Sequence, residues 1–339
     1  MPEHALVVGK FAPLHLGHQL VLDEASRVGR LTVIVWSNPD FEDMPNEVRT
    51  GWIRALYPSA HVIVGEGGPS NDAPDVVPRE YVRDLLARHD LHPDVVFTSE
   101  SYGPGFAAHL GVQHRQVDLS RARVPISGTR LREDVHTLRS FLDPLVYRHF
   151  VELVVFLGAE STGKSTLAQA MAAAMGTAFV PEYGRTHYES RGGELDLDDY
   201  VTIAHTQREM EEDAARRAKR FVFVDTNAIT TMFFSHYYNR DSRPELQSLA
   251  DACAGRYRHV FVCDDDIPFE QDGWRDEPAW RARMQGMVLH DLAVRRIPYT
   301  VVSGPLEARV QAVTAALRGA AVAPPDGKSW SLGPKPNKT

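Results

Sequence analysis

Between Leu153 and Thr166 the chain reads Leu-Val-Val-Phe-Leu-Gly-Ala-Glu-Ser-Thr-Gly-Lys-Ser-Thr. The apolar, partly β-branched start predicts a buried strand. Gly158, four further residues and Gly163-Lys164-Ser165 follow at once, and Leu167–Met171 predicts a helix. Strand, glycine loop and helix in that order are what a phosphate-binding loop requires. The glycines let the backbone curl so that its N–H groups converge on phosphate oxygens, and the helix N-terminus adds its dipole. Lys164 would reach the β- and γ-phosphates and Ser165 would ligate Mg²⁺, with Ser161, Thr162 and Thr166 completing an ATP site. The plain alternative is a glycine turn in an ordinary α/β unit.

A second cluster, Gly9-Lys10-Phe11-Ala12-Pro13-Leu14-His15-Leu16-Gly17-His18, lies between a predicted strand (Ala5–Gly9) and a helical pattern starting near Gln19. Histidines at i and i+3 share one face of a first helical turn. Alone, such a pair fits a metal half-site, a helix cap or two surface residues. The glycines sharpen the reading: Gly9 and Gly17 let phosphates approach the backbone, and imidazoles can then donate to them. The stretch resembles the (T/H)xGH signature of the nucleotidyltransferase α/β-phosphodiesterase superfamily, with His18 matching its phosphate-stabilising second histidine. That resemblance implies attack on the α-phosphate of a nucleoside triphosphate with release of pyrophosphate, driven by positioning and charge stabilisation without a covalent intermediate. Ile126-Ser127-Gly128-Thr129-Arg130-Leu131-Arg132 resembles the superfamily's second signature; read by itself it is a helix N-cap. The two signatures together imply that Gly9, Lys10, Phe11, His15, His18, Ser127, Thr129 and Arg132 bind ATP. Glu47–Arg54 resembles the arginine–tryptophan helix of nicotinamide-mononucleotide (NMN) adenylyltransferases, and Val96–Gly103 resembles their turn on the pyridine-nucleotide side. These imply Arg49, Trp52, Ser99 and Tyr102 as NMN contacts, although Trp52 equally fits the core of an amphipathic helix.

Further along, the strand Phe221–Val224 ends in Asp225. There a carboxylate can hold Mg²⁺ or a water on it, or accept the proton of an attacking hydroxyl; a helix N-cap is the alternative. Pro181-Glu182-Tyr183-Gly184-Arg185 follows a strand expected beside the glycine loop. Glu182 can accept from ribose hydroxyls, Arg185 can meet a phosphate, and Tyr183 would line the same acceptor site. Gln271–Arg275, followed by Arg281 and Arg283, reads as an arginine-bearing lid with Arg275 over ATP; for Arg281 and Arg283 a solvated helix serves equally well. Taken together, these pieces resemble the ribosylnicotinamide kinase domain of the NadR family. The first half resembles that family's adenylyltransferase domain, so the likeness covers roughly 1–318. It implies a bifunctional enzyme of NAD salvage that uses Mg²⁺ and ATP, converts nicotinamide riboside to NMN, and joins NMN to AMP to give NAD. Other acceptors on the same architecture, or an ATP and NAD sensor with little catalysis, are the alternatives. Some family members carry an N-terminal helix-turn-helix module; here the first strand follows within a few residues, so no DNA partner is expected.

The elements that must position these residues alternate, strand then helix, along nearly the whole chain, which predicts an α/β fold of two doubly wound parallel-sheet domains. The first would be a Rossmann-like nucleotidyltransferase domain (1–147), the second a P-loop kinase domain (148–319), and the Pro-, Gly- and Lys-rich 320–339 a disordered tail. Function is expected at the carboxyl ends of the strands. The 339 residues are 43% hydrophobic and 24% charged, the balance of a soluble globular protein. A net charge of −8 argues against bulk electrostatic binding of nucleic acid. The two cysteines, Cys253 and Cys263, lack metal-ligand spacing and read as reduced and buried. With no signal peptide and no membrane-length apolar run, a cytoplasmic location and no membrane partner are expected. The sequence leaves homo-oligomer formation open.

Overall fold

Both expected sheets are present and both are wholly parallel. The computed structural model describes residues 2–70, 72–268 and 278–319, which divide into two units between Phe150 and Val151. In the first, β1 (Glu3–Gly9), α1 (Leu16–Ser26), β2 (Gly29–Trp36), α2 (Asn46–Leu56), β3 (His61–Gly65), α3 (Val76–Arg88), β4 (Val95–Thr98), α4 (Gly103–Leu110) and β5 (Gln113–Gln116) alternate. The short α5 (Gly128–Glu133) and α6 (Pro144–Tyr147) follow. The strand order is β3-β2-β1-β4-β5. The chain therefore leaves β1 to one side for β2 and β3 and crosses to the other for β4 and β5. The crevice where it reverses opens at the carboxyl end of β1, where Gly9–His18 begins. Leu6, Ile34 and Val96 on the three middle strands are fully buried against Val82, Leu85, Leu86 and Phe106 of the helices. That two-sided burial is why the strands read as continuous apolar runs. The edge strand β5, Gln-His-Arg-Gln, is polar and partly exposed, which blunts it against further pairing.

The second unit comprises β6 (Glu152–Leu157), α7 (Lys164–Met175), β7 (Ala178–Val180), α8 (Tyr183–Ser190), α9 (Leu197–Arg217), β8 (Phe221–Asp225), α10 (Ala228–Asn239), α11 (Pro244–Asp251), β9 (His259–Cys263), α12 (Pro278–Val294), β10 (Thr300–Val302) and α13 (Leu306–Leu317). Its order is β10-β9-β6-β8-β7, so the strand carrying the glycine loop is again central. Registration of Phe156 beside Asp225 carries that carboxylate to the same edge of the sheet as the loop. Cys253 and Cys263 are buried free thiols, and no helix among the described residues is long and apolar enough to cross a membrane.

Three rings hold the middle of this sheet. Phe156 stacks on Phe223 at 6.1 Å and on Phe261 at 5.8 Å, and all three are at most 1% exposed. Truncating the central ring leaves a cavity that the flanking strands cannot close. Phe156→Ala is therefore expected to lower the unfolding free energy of this unit by about 3–5 kcal/mol in urea titrations; a loss below about 1 kcal/mol would mean the strands do close over it.

Candidate active sites

The first unit has a cavity of about 550 Å³ at the carboxyl ends of β1 and β4. Of the residues singled out in the sequence, Gly9, Lys10, Phe11, His18, Ser99, Tyr102, Ser127, Thr129 and Arg132 all line it. Arg132 donates through Nη1 to the Ala12 carbonyl (2.6 Å) and through Nη2 to Thr129 Oγ1 (3.1 Å), and its guanidinium lies 5.1 Å from the Phe41 ring centroid. Ser127 caps α5 by accepting from the Arg130 amide at 3.3 Å. Burial, with the nearby Arg132 charge, lowers the Lys10 pKa. Arg79 and Arg121, not singled out in the sequence, also line the cavity, so with Lys10 and Arg132 four cations face it against Asp75 and Glu100. That balance suits an anionic ligand.

His15 and His18 form a closed pair. His15 is the N-cap of α1: its Nδ1 accepts from the His18 amide (3.3 Å), while its own amide donates to His18 Nδ1 (3.4 Å). The rings stack at 3.7 Å with 18° between their planes. Gly17 makes this possible, because a Cβ there would sit 3.0 Å from the His15 ring. With both Nδ1 atoms accepting backbone N–H groups, each neutral ring carries its proton on Nε2. This does not suit a metal half-site, and among the described residues no group of three or more His, Cys, Asp or Glu side chains could hold a metal. His18 faces the cavity; His15 lies behind it, 6% exposed. Burial pulls the His15 pKa down to about 4, helped by Arg121, and holds His18 well below 6.5 with His15 beside it.

Trp52 and Arg49 are not brought to this cavity. Arg49 is completely buried and donates to the carbonyls of Met44 (2.8 Å), Lys10 (2.7 Å) and Trp36 (2.9 Å) and to Asn46 Oδ1 (2.6 Å). Here it braces the β1–α1 and β2–α2 connections, in place of the ligand contact expected from its helix. Trp52, 5% exposed, packs edge-on against His149 at 5.4 Å, the placement of a core residue. The tryptophan that does line the cavity is Trp36, at the carboxyl end of β2, a position the sheet order makes significant.

In the second unit Gly158 adopts φ +136°, and a Cβ on it would lie 2.7 Å from the Cys263 carbonyl. Only glycine fits that approach. Lys164 Nζ and Thr162 Oγ1 both donate to the Ala159 carbonyl at 2.8 Å. Asp225, 1% exposed, accepts from the Ser165 hydroxyl, and its Oδ1 is buried without a hydrogen-bond partner. Asp225 is not a helix cap; Asn227 caps α10 by accepting from the Ile229 amide. Burial raises the pKa of Asp225, and burial with the Asp225 charge raises that of Glu182, while Lys164 and Arg185 oppose both shifts. Gln207, absent from the sequence reading, ties the two carboxylates' segments together: Oε1 accepts from the Tyr183 amide (2.9 Å) and Nε2 donates to the Asp225 carbonyl (3.3 Å). The Tyr183 ring packs against His187, and Thr166 is exposed on the first turn of α7. Arg281 is buried against the loop, donating to the carbonyls of Ser161 (3.2 Å) and Ile267 (2.9 Å), whereas Arg283 is exposed on α12. Arg275 and the rest of the expected lid, Gln271–Arg275, lie outside the described residues, as does the tail 320–339.

Two parallel sheets, each with a phosphate-suited loop at its central strand, define a two-unit α/β protein of the nucleotide-binding class. A family model described as an AAA domain matches residues 153–309. The trifunctional NAD biosynthesis/regulator protein NadR of Escherichia coli (strain K12) is 30% identical over 294 residues, covering 80% of this chain and 71% of that protein. The Salmonella typhimurium protein of the same name is 30% identical over 292 residues, with the same coverage of each. A crystal structure of a NadR protein in complex with NAD and AMP-PNP superposes with a TM-score of 0.69 at 19% identity, covering 95% of this chain and 98% of that one. A second, in complex with NR, gives 0.69 at 20%, covering 94% and 96%. The chain belongs to the NadR family.

The histidine pair has a measurable consequence. Each ring is neutral in the folded unit but takes up a proton on unfolding once the pH falls below about 6.5. Their stabilisation is complete above that pH and falls away below it, for His15 down to about pH 4, with a slope of up to about 1.4 kcal/mol per pH unit for each ring. His15→Asn is expected to flatten the pH dependence of unfolding free energy between pH 6.5 and 4.5; identical slopes in the variant and the parent would contradict this.

Proposed function

We propose that the chain carries out two consecutive steps of NAD salvage, a kinase step in the second unit and an adenylyl transfer in the first. The observation that carries this reading is the pairing, in one NadR-family chain, of two different phosphate sites at the central strands of two sheets. The relatives' name as NAD biosynthesis proteins, and the NAD, AMP-PNP and NR bound in related structures, support the choice of substrates.

In the kinase step Lys164 and the amides of the glycine loop bind the ATP phosphates, with Arg185 near the transferred group. Tyr183 and Glu182 hold the ribose of nicotinamide riboside, and Asp225 accepts the proton of its 5′-hydroxyl or holds the metal. A buried carboxylate oxygen without a partner, beside a serine hydroxyl, fits a hard oxygen-liganded cation, so Asp225 and Ser165 would hold Mg²⁺. When bound, that ion neutralises charge on the phosphoryl oxygens.

In the adenylyl step the NMN phosphate displaces pyrophosphate from a second ATP. His18 donates from Nε2 to the triphosphate as a neutral imidazole, and His15 fixes its ring and tautomer. Lys10, Arg132 and the capped start of α5 take the remaining phosphate charge. Ser99 and Tyr102 contact NMN, and the apolar lining of Trp36, Phe97 and Phe106 suits its pyridine ring. Domains of 1–147 and 148–319 accommodate the two activities.

Product analysis from nicotinamide riboside and Mg-ATP tests the scheme. Lys164→Ala should stop NMN formation, lowering kinase turnover at least about a hundredfold, the scale of one lost electrostatic contact to the reacting phosphates. His18→Ala should let NMN accumulate without NAD. Absence of both products in the unmodified protein would sink the reading.

A further inference from the structure

Three side chains from outside the glycine loop hold its backbone. Arg309 of α13, 2% exposed, donates through Nη1 to the Thr162 carbonyl (2.6 Å), through Nε to the Gly304 carbonyl (2.8 Å), and through Nη2 to the Asp264 carbonyl (3.2 Å) and the Asp266 carboxylate. Arg281 takes the Ser161 carbonyl, as described above. Gln285, one turn further along α12, accepts from the Ala159 amide (2.8 Å) and donates to the Cys263 carbonyl (3.0 Å).

The bond to Thr162 has a directional consequence. The peptide units here are trans, so the carbonyl of one residue and the N–H of the next point to opposite sides of a rigid plane. Pinning the Thr162 carbonyl on Arg309 therefore turns the Gly163 N–H away from Arg309. Gly163 takes φ +81° at no steric cost, but Ser161 lies at φ +57°, a conformation that a residue with a side chain holds only with outside support. A planar guanidinium with five donors can bind three segments at once; an ammonium cannot present the same fork.

We propose that Arg309 is a positioning residue for the kinase step: it aims the Gly163 N–H at the nucleotide phosphates and locks the loop to the ends of β9 and β10. The proposal rests on the reading of Gly158–Thr166 as the ATP site. Arg309, 2% exposed, acts through Thr162.

Arg309→Met keeps the side-chain length without its donors, and Arg309→Lys keeps the charge without the fork. Each full-length variant is assayed for KM of ATP, KM of nicotinamide riboside and binding of a fluorescent ATP analogue, with adenylyl transfer from NMN as a measure of the first unit. For the Met variant, ATP KM and analogue Kd are expected to rise about 10- to 100-fold, the range for one hydrogen bond to a charged group. The riboside KM and the adenylyl transfer rate should stay within about twofold, and the Lys variant should fall between. Equal losses in ATP and riboside KM would indicate a merely structural residue and overturn the proposal, as would analogue binding within twofold of the parent. If the Met variant lacks a cooperative unfolding transition in its second unit, the Lys variant decides: weakened analogue binding in a stably folded unit supports the proposal, and unchanged binding overturns it. A parent protein that binds the analogue but does not phosphorylate the riboside defeats the acceptor assignment alone, leaving the binding arm to judge Arg309.

Discussion

A peptide unit has two faces, and a backbone that turns its N–H groups towards phosphate must send its carbonyls somewhere else. The second unit is built around that constraint. Its glycine loop leaves the central strand so close to the Cys263 carbonyl that no Cβ can follow Gly158. The loop's carbonyls at Ala159, Ser161 and Thr162 are met by Lys164 and Thr162, by Arg281 and by Arg309. Buried carbonyls left unmet would each cost about 1–3 kcal/mol, so the donors that hold the loop also make its burial tolerable. The carboxylate candidates are placed by the sheet and a helix beside it: Asp225 by strand register, the Glu182 segment by the Gln207 bridge from α9.

The first unit presents phosphate-suited groups differently, with side chains in the leading part. Its two imidazoles cap one another's backbone, so their donor nitrogens are set by the helix start itself. Arg132 is held by the Ala12 carbonyl from the β1–α1 connection, which brings the two ends of the unit's sequence to one cavity. Neutral rings donate without the desolvation cost of a buried imidazolium, and the charge is left to groups nearer solvent.

The motifs legible in the sequence were those whose chemistry is local. A glycine loop between strand and helix, a histidine pair on one helical turn and a serine cap each depend on residues within a dozen positions, and alternation of strand and helix was enough to predict both parallel sheets. What escaped were partners joined only by topology. Arg309 meets Thr162 across nearly half of the chain, and Gln285 meets Ala159 over 126 positions. Nothing in the local pattern of α12 or α13 distinguishes those side chains from ordinary helix residues. For Arg49 and Trp52 the converse holds: three positions apart on one helix, they look available for a ligand, yet both are buried here. The position of Trp36 at a strand's carboxyl end was visible, but only the strand order shows that this end faces the cavity.

Arg49 has a further consequence. Among the described residues its hydrogen-bond partners are neutral oxygens, three backbone carbonyls and one side-chain amide, and no carboxylate is bonded to it, although Asp40 and Glu47 lie within electrostatic range. Its positive charge sits wholly inside the protein, hydrogen-bonded to the backbone carbonyl of Lys10 itself. Mobile ions cannot gather around a charge that has no contact with solvent, and fields in low-dielectric surroundings are weakly screened. The first unit thus keeps a fixed source of positive potential behind its cavity, one that ionic strength attenuates less than it does the exposed arginines at the mouth.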